Sequence, residues 1–243
     1  MKNYISVGII ALSILIASLL FTNAFTNRNK SSNTISVTGS GNQNFTSDLI
    51  VWSASFSQKS MELKDANGAI DRDRQQIKSY LLGKGVPEEE IVFSAVNFNK
   101  DYRYTYNQNG GTQEQIFTGY NLTQTVTVQS KNVDKTEKIS RESSDLINSG
   151  IEFYSNAPEY YYTKLAALKI QMIAEGTKDA KARAQSIAEN AGASLGNLKK
   201  SDMGVFQITG QNSSEDFTYG GSFNTVSKNK TANITVRLVY EVE

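Results

Sequence analysis

The chain of 243 residues contains no cysteine and no histidine. Without thiols it forms no disulfide and performs no thiol redox chemistry, so any part in oxidative stress has to be indirect. Without imidazole, zinc, copper and haem sites of the common kinds lose their preferred ligands, and a serine has no histidine base to activate it. An excess of one charge is also missing, with 25 Lys+Arg against 24 Asp+Glu. Lys2, Arg28 and Lys30 lie in an N-terminal segment without acids, which leaves 25 − 3 = 22 bases against 24 acids in the remainder. A net charge near −2 gives no long-range attraction to polyanions. No nucleic-acid partner and no cofactor are expected, and the residues name no reaction.

What is present begins with an apolar run, Ile5 to Phe25, uncharged and close to the roughly 20 residues that cross a bilayer. It is longer than the apolar core of most cleaved signals and no clean Ala-x-Ala site follows it. Residues 1–25 therefore read as an uncleaved membrane anchor in preference to a removed signal peptide. Residues 26–33, small and polar, read as a tether, and residues 34–243 as the exported domain. A domain of that size builds its own core, so the missing disulfides do not argue against an extracytoplasmic location.

Within 34–243 the apolar residues alternate along four stretches: Ile35 and Val37; Ile50, Trp52, Ala54 and Phe56; Tyr120, Leu122, Val126 and Val128, with Gln124 the exception; and Ile234, Val236, Leu238 and Tyr240. One dry and one wet face is the mark of antiparallel sheets covered on a single side. Three stretches read as the covering helices: Met61 to Leu82, closed by Gly83 and Gly85; Val133 to Asn148, closed by Gly150; and Thr163 to Asn190. The last carries a narrow stripe of Ala166, Ile170, Ile173, Thr177, Ala180, Ala184, Ile187 and Ala191. Pro87 to Glu90 reads as a short turn into a strand at Ile91. Asn107 to Gly111 supplies the positive φ values of a hairpin turn. Thr209 to Asn224, polar and glycine-rich, reads as a mobile loop. Strand, strand, helix, strand, strand, helix, short strand, helix, strand, strand makes an α+β fold: antiparallel sheets with helices on one face, in two lobes, preceded by an apolar N-terminal helix.

Motifs that could carry chemistry fit structural roles better. Gly192-Ala-Ser194-Leu-Gly196 spells a nucleophile elbow, but it follows a helix and has no histidine to serve it, so it reads as a helix cap and linker. Gly39-Ser-Gly41 opens a dinucleotide fingerprint, yet Asn44 stands at the third glycine position and no helix begins there. Asp71 and Asp73 lie two apart on a helix and point away from each other, while Glu88, Glu89 and Glu90 read as acids at a helix start. No metal site and no catalytic group is expected.

Taken in order, Ile35-Ser-Val-Thr-Gly39-Ser-Gly41 followed by Asp48, Gly85-Val-Pro-Glu-Glu-Glu-Ile91, Gly119-Tyr120, Ala180-x-x-x-Ala184 leading to Gly192-Ala-Ser-Leu195-Gly196, and the closing Ile234 to Tyr240 resemble the SIMPL-domain family of bacterial envelope proteins. The resemblance spans about residues 34–242. It implies ferredoxin-like sublobes, export to the envelope, a link to stress tolerance, and assembly of some members into rings, with no active site. It also implies structural roles for those positions: Gly39 and Gly41 to turn the chain between the first two strands, Gly119 to let backbone pass closely.

Tyrosines are the remaining signal. Tyr102, Tyr104 and Tyr106 share one face of a strand against Asp101, Arg103 and Thr105, and Tyr160, Tyr161 and Tyr162 precede the long helix. Tyrosine offers large contact area at low entropy cost and is enriched in interfaces. Both sets can serve the chain's own core, a contact with a second copy or an envelope partner, or a glycan- or peptide-binding platform. The expected protein is a non-enzymatic envelope protein, a homo-oligomer or a partner binder, joined to the membrane by its N-terminus.

Overall fold

The computed structural model describes residues 8, 12–22, 33–106 and 112–243. The rest of the anchor run, tether residues 26–32 and the Asn107 to Gly111 turn lie outside the described residues. Residues 12–22 are helical (α1), with Leu12, Leu15, Leu19 and Phe21 exposed. Among the described residues no helix is long and apolar enough to cross a membrane.

The fold is mixed α+β, with a five-stranded and a six-stranded sheet. Its strands are β1 (Thr34–Thr46), β2 (Leu49–Ser60), β3 (Ile91–Phe93), β4 (Asn97–Tyr106), β5 (Thr112–Ser130), β6 (Glu152–Ser155), β7 (Glu159–Tyr161), β8 (Leu195–Met203), β9 (Gln207–Gly210), β10 (Ser222–Phe223) and β11 (Asn229–Val242). The helices after α1 are α2 (Leu63–Gly83), α3 (Val133–Glu142), α4 (Ser144–Asn148) and α5 (Leu165–Asn190). Two compact units share them: one of Met1–Ser40, Thr177–Met203 and Val236–Glu243, and one of Gly41–Gly176 and Gly204–Thr235.

In the larger unit β2 is the centre of the six-stranded sheet. It pairs antiparallel with β5 from Ile50↔Ser130 to Ser60↔Tyr120, and on its other side with β6 and β7. The expected alternation holds: Ile50, Trp52, Ala54 and Phe56 are buried on one face, and Leu122, Val126 and Val128 beside them. Gln124, the exception, is buried as well; its amide donates to the Ser94 carbonyl at 2.7 Å. Helix α2 covers this face with Ala66, Ile70, Ile77 and Leu81, the spacing that keeps one helical face dry. It ends where Gly85 turns to φ +78, with Gly85 N–H bonded to Leu82 O and Val86 N–H to Leu81 O. This is the glycine-terminated Schellman arrangement, repeated at Gly150 and Gly192. The expected single helix Val133 to Asn148 is instead α3 and α4. Ser143 stands between them and its hydroxyl donates back to Ser140 O at 2.7 Å, a local bond that competes with helix continuation.

The larger unit also holds β9, β10, the second half of β1 and the first half of β11. Here Leu168 and Met172 of α5 pack on Ile208, Ala232 and Ile234. Gly41 lies within β1, so the turn expected at Gly39 and Gly41 is not there. A Cβ on Gly41 would stand 2.5 Å from the Met172 carbonyl oxygen, and it is this close approach of helix backbone that requires glycine. Asp48, in the turn after β1, accepts from Thr163 N–H at 2.6 Å and Thr163 Oγ1 at 2.8 Å, fixing the chain just ahead of α5.

In the smaller unit, Val37, Ala180, Ala184, Val236, Leu238 and Tyr240 form the core, with Leu195 packed against it. Ser40 N–H and Arg183 Nε both donate to Asp179. The expected stripe on α5 needs correction. The buried positions are 168, 172, 176, 180, 184 and 188, whereas Ile170 is 71% exposed and Ala166, Thr177 and Ile187 are exposed too. Strict spacing by four drifts about 40° per step around a helix of 3.6 residues per turn, so the dry line winds around α5 where a fixed face was expected.

Candidate interaction surface

β2 ends at Ser60, opposite Tyr120. Beyond that point residues 112–119 of β5 pair only with β4, so Asp101–Tyr106 and residues 112–119 form a two-stranded ribbon among the described residues. At its root the register shifts between Asp101 and Tyr102, leaving Thr118 as the extra residue. Gly119 sits there with φ +127, and a Cβ on it would come 2.7 Å from Ser60 O. Glycine is needed for both reasons, and the resulting bulge re-aims the ribbon.

The bulge keeps one face aromatic along its length. Phe98 lies 6.5 Å from Tyr120 (ring centroids), Tyr120 lies 5.2 Å from Phe117, and Phe117 lies 5.7 Å from Tyr102, the last two edge to face. Tyr102, Tyr104 and Tyr106 continue that face and are 39%, 48% and 64% exposed. On the opposite face Asp101 binds Lys59 at 2.7 Å, while Arg103 has no ion pair among the described residues. Among the described residues the outer edge of β4 has no strand beside it.

The second set of tyrosines is placed differently. Tyr160 is buried with Ile50 and Val133; burial, then Glu137 beside it, pushes its phenol pKa up. Tyr161 donates to Glu159 at 2.9 Å, and Tyr162 packs on Phe45 with centroids 4.8 Å apart. Tyr160 and Tyr162 thus pack within the chain, while Tyr161 is half-buried with its hydroxyl on Glu159. Their sequence pattern resembled that of the ribbon, but β7 pairs with β2 inside the six-stranded sheet and buries Tyr160.

Thr209 to Asn224, expected to be mobile, is tied down. The Gln207 side-chain amide holds Thr218 at both its carbonyl (2.7 Å) and its N–H (3.3 Å), and Glu215 accepts from Gly210 N–H at 3.1 Å. Beside this loop is a cleft of about 450 Å³ lined by Val205, Gln207, Phe217, Tyr219, Asn233 and Ile234 among others. Nearby, Lys230 is buried on the face of β11 that carries Ala232 and Ile234, its ammonium donating to Asn224 O at 2.5 Å. Burial lowers its pKa to about 8. Lysine is normally read as solvent-facing, so this residue was missed; its even phase with Ala232 and Ile234 was the available signal.

No group of three or more acidic side chains placed to hold a metal occurs among the described residues. Asp73 accepts from Gln58 at 2.7 Å, Asp71 pairs with Arg74 at 3.2 Å, and Glu88 with Lys78 at 2.6 Å. Ser194 bonds the Glu243 backbone through its N–H (2.8 Å) and hydroxyl (3.3 Å).

The model of the SIMPL family, described as a protein of unknown function (DUF541), matches residues 35–240. The chain belongs to the SIMPL family. No curated protein matches it. The match takes in both units of this SIMPL chain and includes Gly39, Gly41, Asp48, Gly119, Tyr120, Ala180, Ala184, Gly192, Leu195 and Gly196. In the structure Gly192 terminates α5, Gly41, Gly119 and Gly196 relieve backbone crowding, Tyr120, Ala180, Ala184 and Leu195 pack in or against the cores, and Asp48 holds Thr163.

Proposed function

We propose that this SIMPL protein is a non-enzymatic component of the cell envelope, held at the inner membrane by its N-terminal segment, whose extracytoplasmic domain acts by binding a second copy of itself or an envelope partner, and through that contact supports stress tolerance. The observation that carries this reading is the two-stranded ribbon, which extends an aromatic ladder past the core and ends in three half-exposed tyrosines on one face. Exposed aromatic surface of this kind is costly in water and favourable once covered. The exposed apolar side chains of α1 support the membrane assignment. Crosslinking in intact cells with the full chain tests the reading. Replacing Tyr104 and Tyr106 together by alanine should lower the yield of crosslinked species severalfold with an unchanged circular dichroism spectrum. Undiminished crosslinking would refute it.

A further inference from the structure

Among the described residues the outer edge of β4 is an open strand of ten residues, and its sequence is complementary to itself in one register. We propose that two copies of the chain pair antiparallel through β4, about a two-fold axis at Tyr102, into one sheet continuous across both subunits. This rests on the ribbon being the contact surface, and it names the occupant and the alignment.

Unpaired strand edges are templates for adding another strand, and a two-fold axis makes such an addition close on itself. When identical strands pair antiparallel about a two-fold axis normal to the sheet, one residue faces its own copy and directly opposed residues share a face. Centring on Tyr102 sets Asp101 against Arg103 of the second copy, and Arg103 against its Asp101, on the face opposite the aromatics. On the aromatic face Tyr102 meets Tyr102, while Lys100 meets Tyr104 and Tyr104 meets Lys100, pairs suited to a cation–π contact. Outside these, Asn99 faces Thr105 and Phe98 faces Tyr106. Every opposed pair from 98 to 106 is then compatible.

Neighbouring registers are not compatible. Centring on Lys100, Asp101 or Arg103 sets that charge against its own copy, which is unfavourable for directly opposed strand residues. Centring on Tyr104 leaves both charges without a partner of opposite sign. β4 carries no inserted residue, since both register shifts of the ribbon place the extra residue on β5, at Thr118 and at Gln113. Arg103 has no ion pair within the chain among the described residues, and Asp101 uses only Oδ2 toward Lys59, leaving Oδ1 to receive it. The Tyr102 and Phe117 edge-to-face pairs of the two copies would meet at the axis, covering the aromatic surface exposed in one chain.

The test uses the full chain purified in mild non-ionic detergent. Asp101→Arg and Arg103→Asp should each weaken self-association roughly tenfold, because each turns two attractive pairs into repulsive ones, and the double exchange should restore it. Because the chain has no cysteine, Tyr102→Cys introduces a single thiol that should form a disulfide-linked dimer under mild oxidation, whereas Asn97→Cys should not. Self-association that ignores both charge exchanges and leaves Tyr102→Cys unlinked overturns the β4 register. A monomer whose ribbon crosslinks only to a different protein in cells overturns the second copy as occupant while the ribbon remains the contact surface. A ribbon that crosslinks to nothing overturns both.

Discussion

Raising the pH should stabilise this protein through Lys230. The side chain is 2% exposed, and burial lowers its pKa to about 8, a shift that Glu215 opposes. In the unfolded chain the group returns to the ordinary lysine value of 10.5. Below pH 8 it is charged in both states, and the cost of holding an ammonium in the core is fully present. Between about 8 and 10.5 the unfolded chain binds more protons than the folded one, so unfolding free energy rises with pH. At about 1.4 kcal/mol per unit, the gain between pH 7 and pH 10 is roughly 2.5 kcal/mol. Tyr80, Tyr160, Lys84 and Lys228, all shifted upward, add slopes of their own. The quantity to measure is therefore the difference between wild type and Lys230→Met, in which these cancel. Urea unfolding followed by fluorescence of Trp52, the single tryptophan and fully buried, gives both curves. Wild type should gain on the variant by that amount across the interval. A difference flat in pH would mean that the ammonium reaches water in solution, and the burial argument would fail.

Gly41→Ala should destabilise the fold by about 2 kcal/mol, since the added Cβ meets the Met172 carbonyl at 2.5 Å and only backbone displacement can relieve it; an unchanged melting temperature would contradict the close-approach role. Gln207→Leu should leave the melting temperature nearly unchanged but make the loop between β9 and β10 several times more sensitive to protease, because both bonds to Thr218 are lost.

Much of the fold was legible in the residues. The alternation in β2, β5 and β11 marked their buried faces, since strand side chains alternate strictly and water sorts them. Glycines beyond three helices marked their ends, because the terminating conformation has positive φ. Other features were misread for local reasons. The winding dry line of α5 was hidden because small and apolar residues occur on several of its faces. The break at Ser143 depends on one hydroxyl choosing a carbonyl. Of the candidate surface, Tyr102, Tyr104 and Tyr106 were legible as one face of a strand, but their exposure depended on where β2 stops.

The sequence by itself determined what the protein lacks, its α+β character, the buried faces of its main strands and its family, because these follow from composition and from periodicities set by backbone geometry. Only the tertiary structure decided that Gly41 serves a helix crossing, that Lys230 is buried, that Tyr160 and Tyr162 pack internally, and that β4 keeps an open edge among the described residues. Those outcomes depend on which distant segments come to lie side by side, and burial and pairing are properties of that neighbourhood.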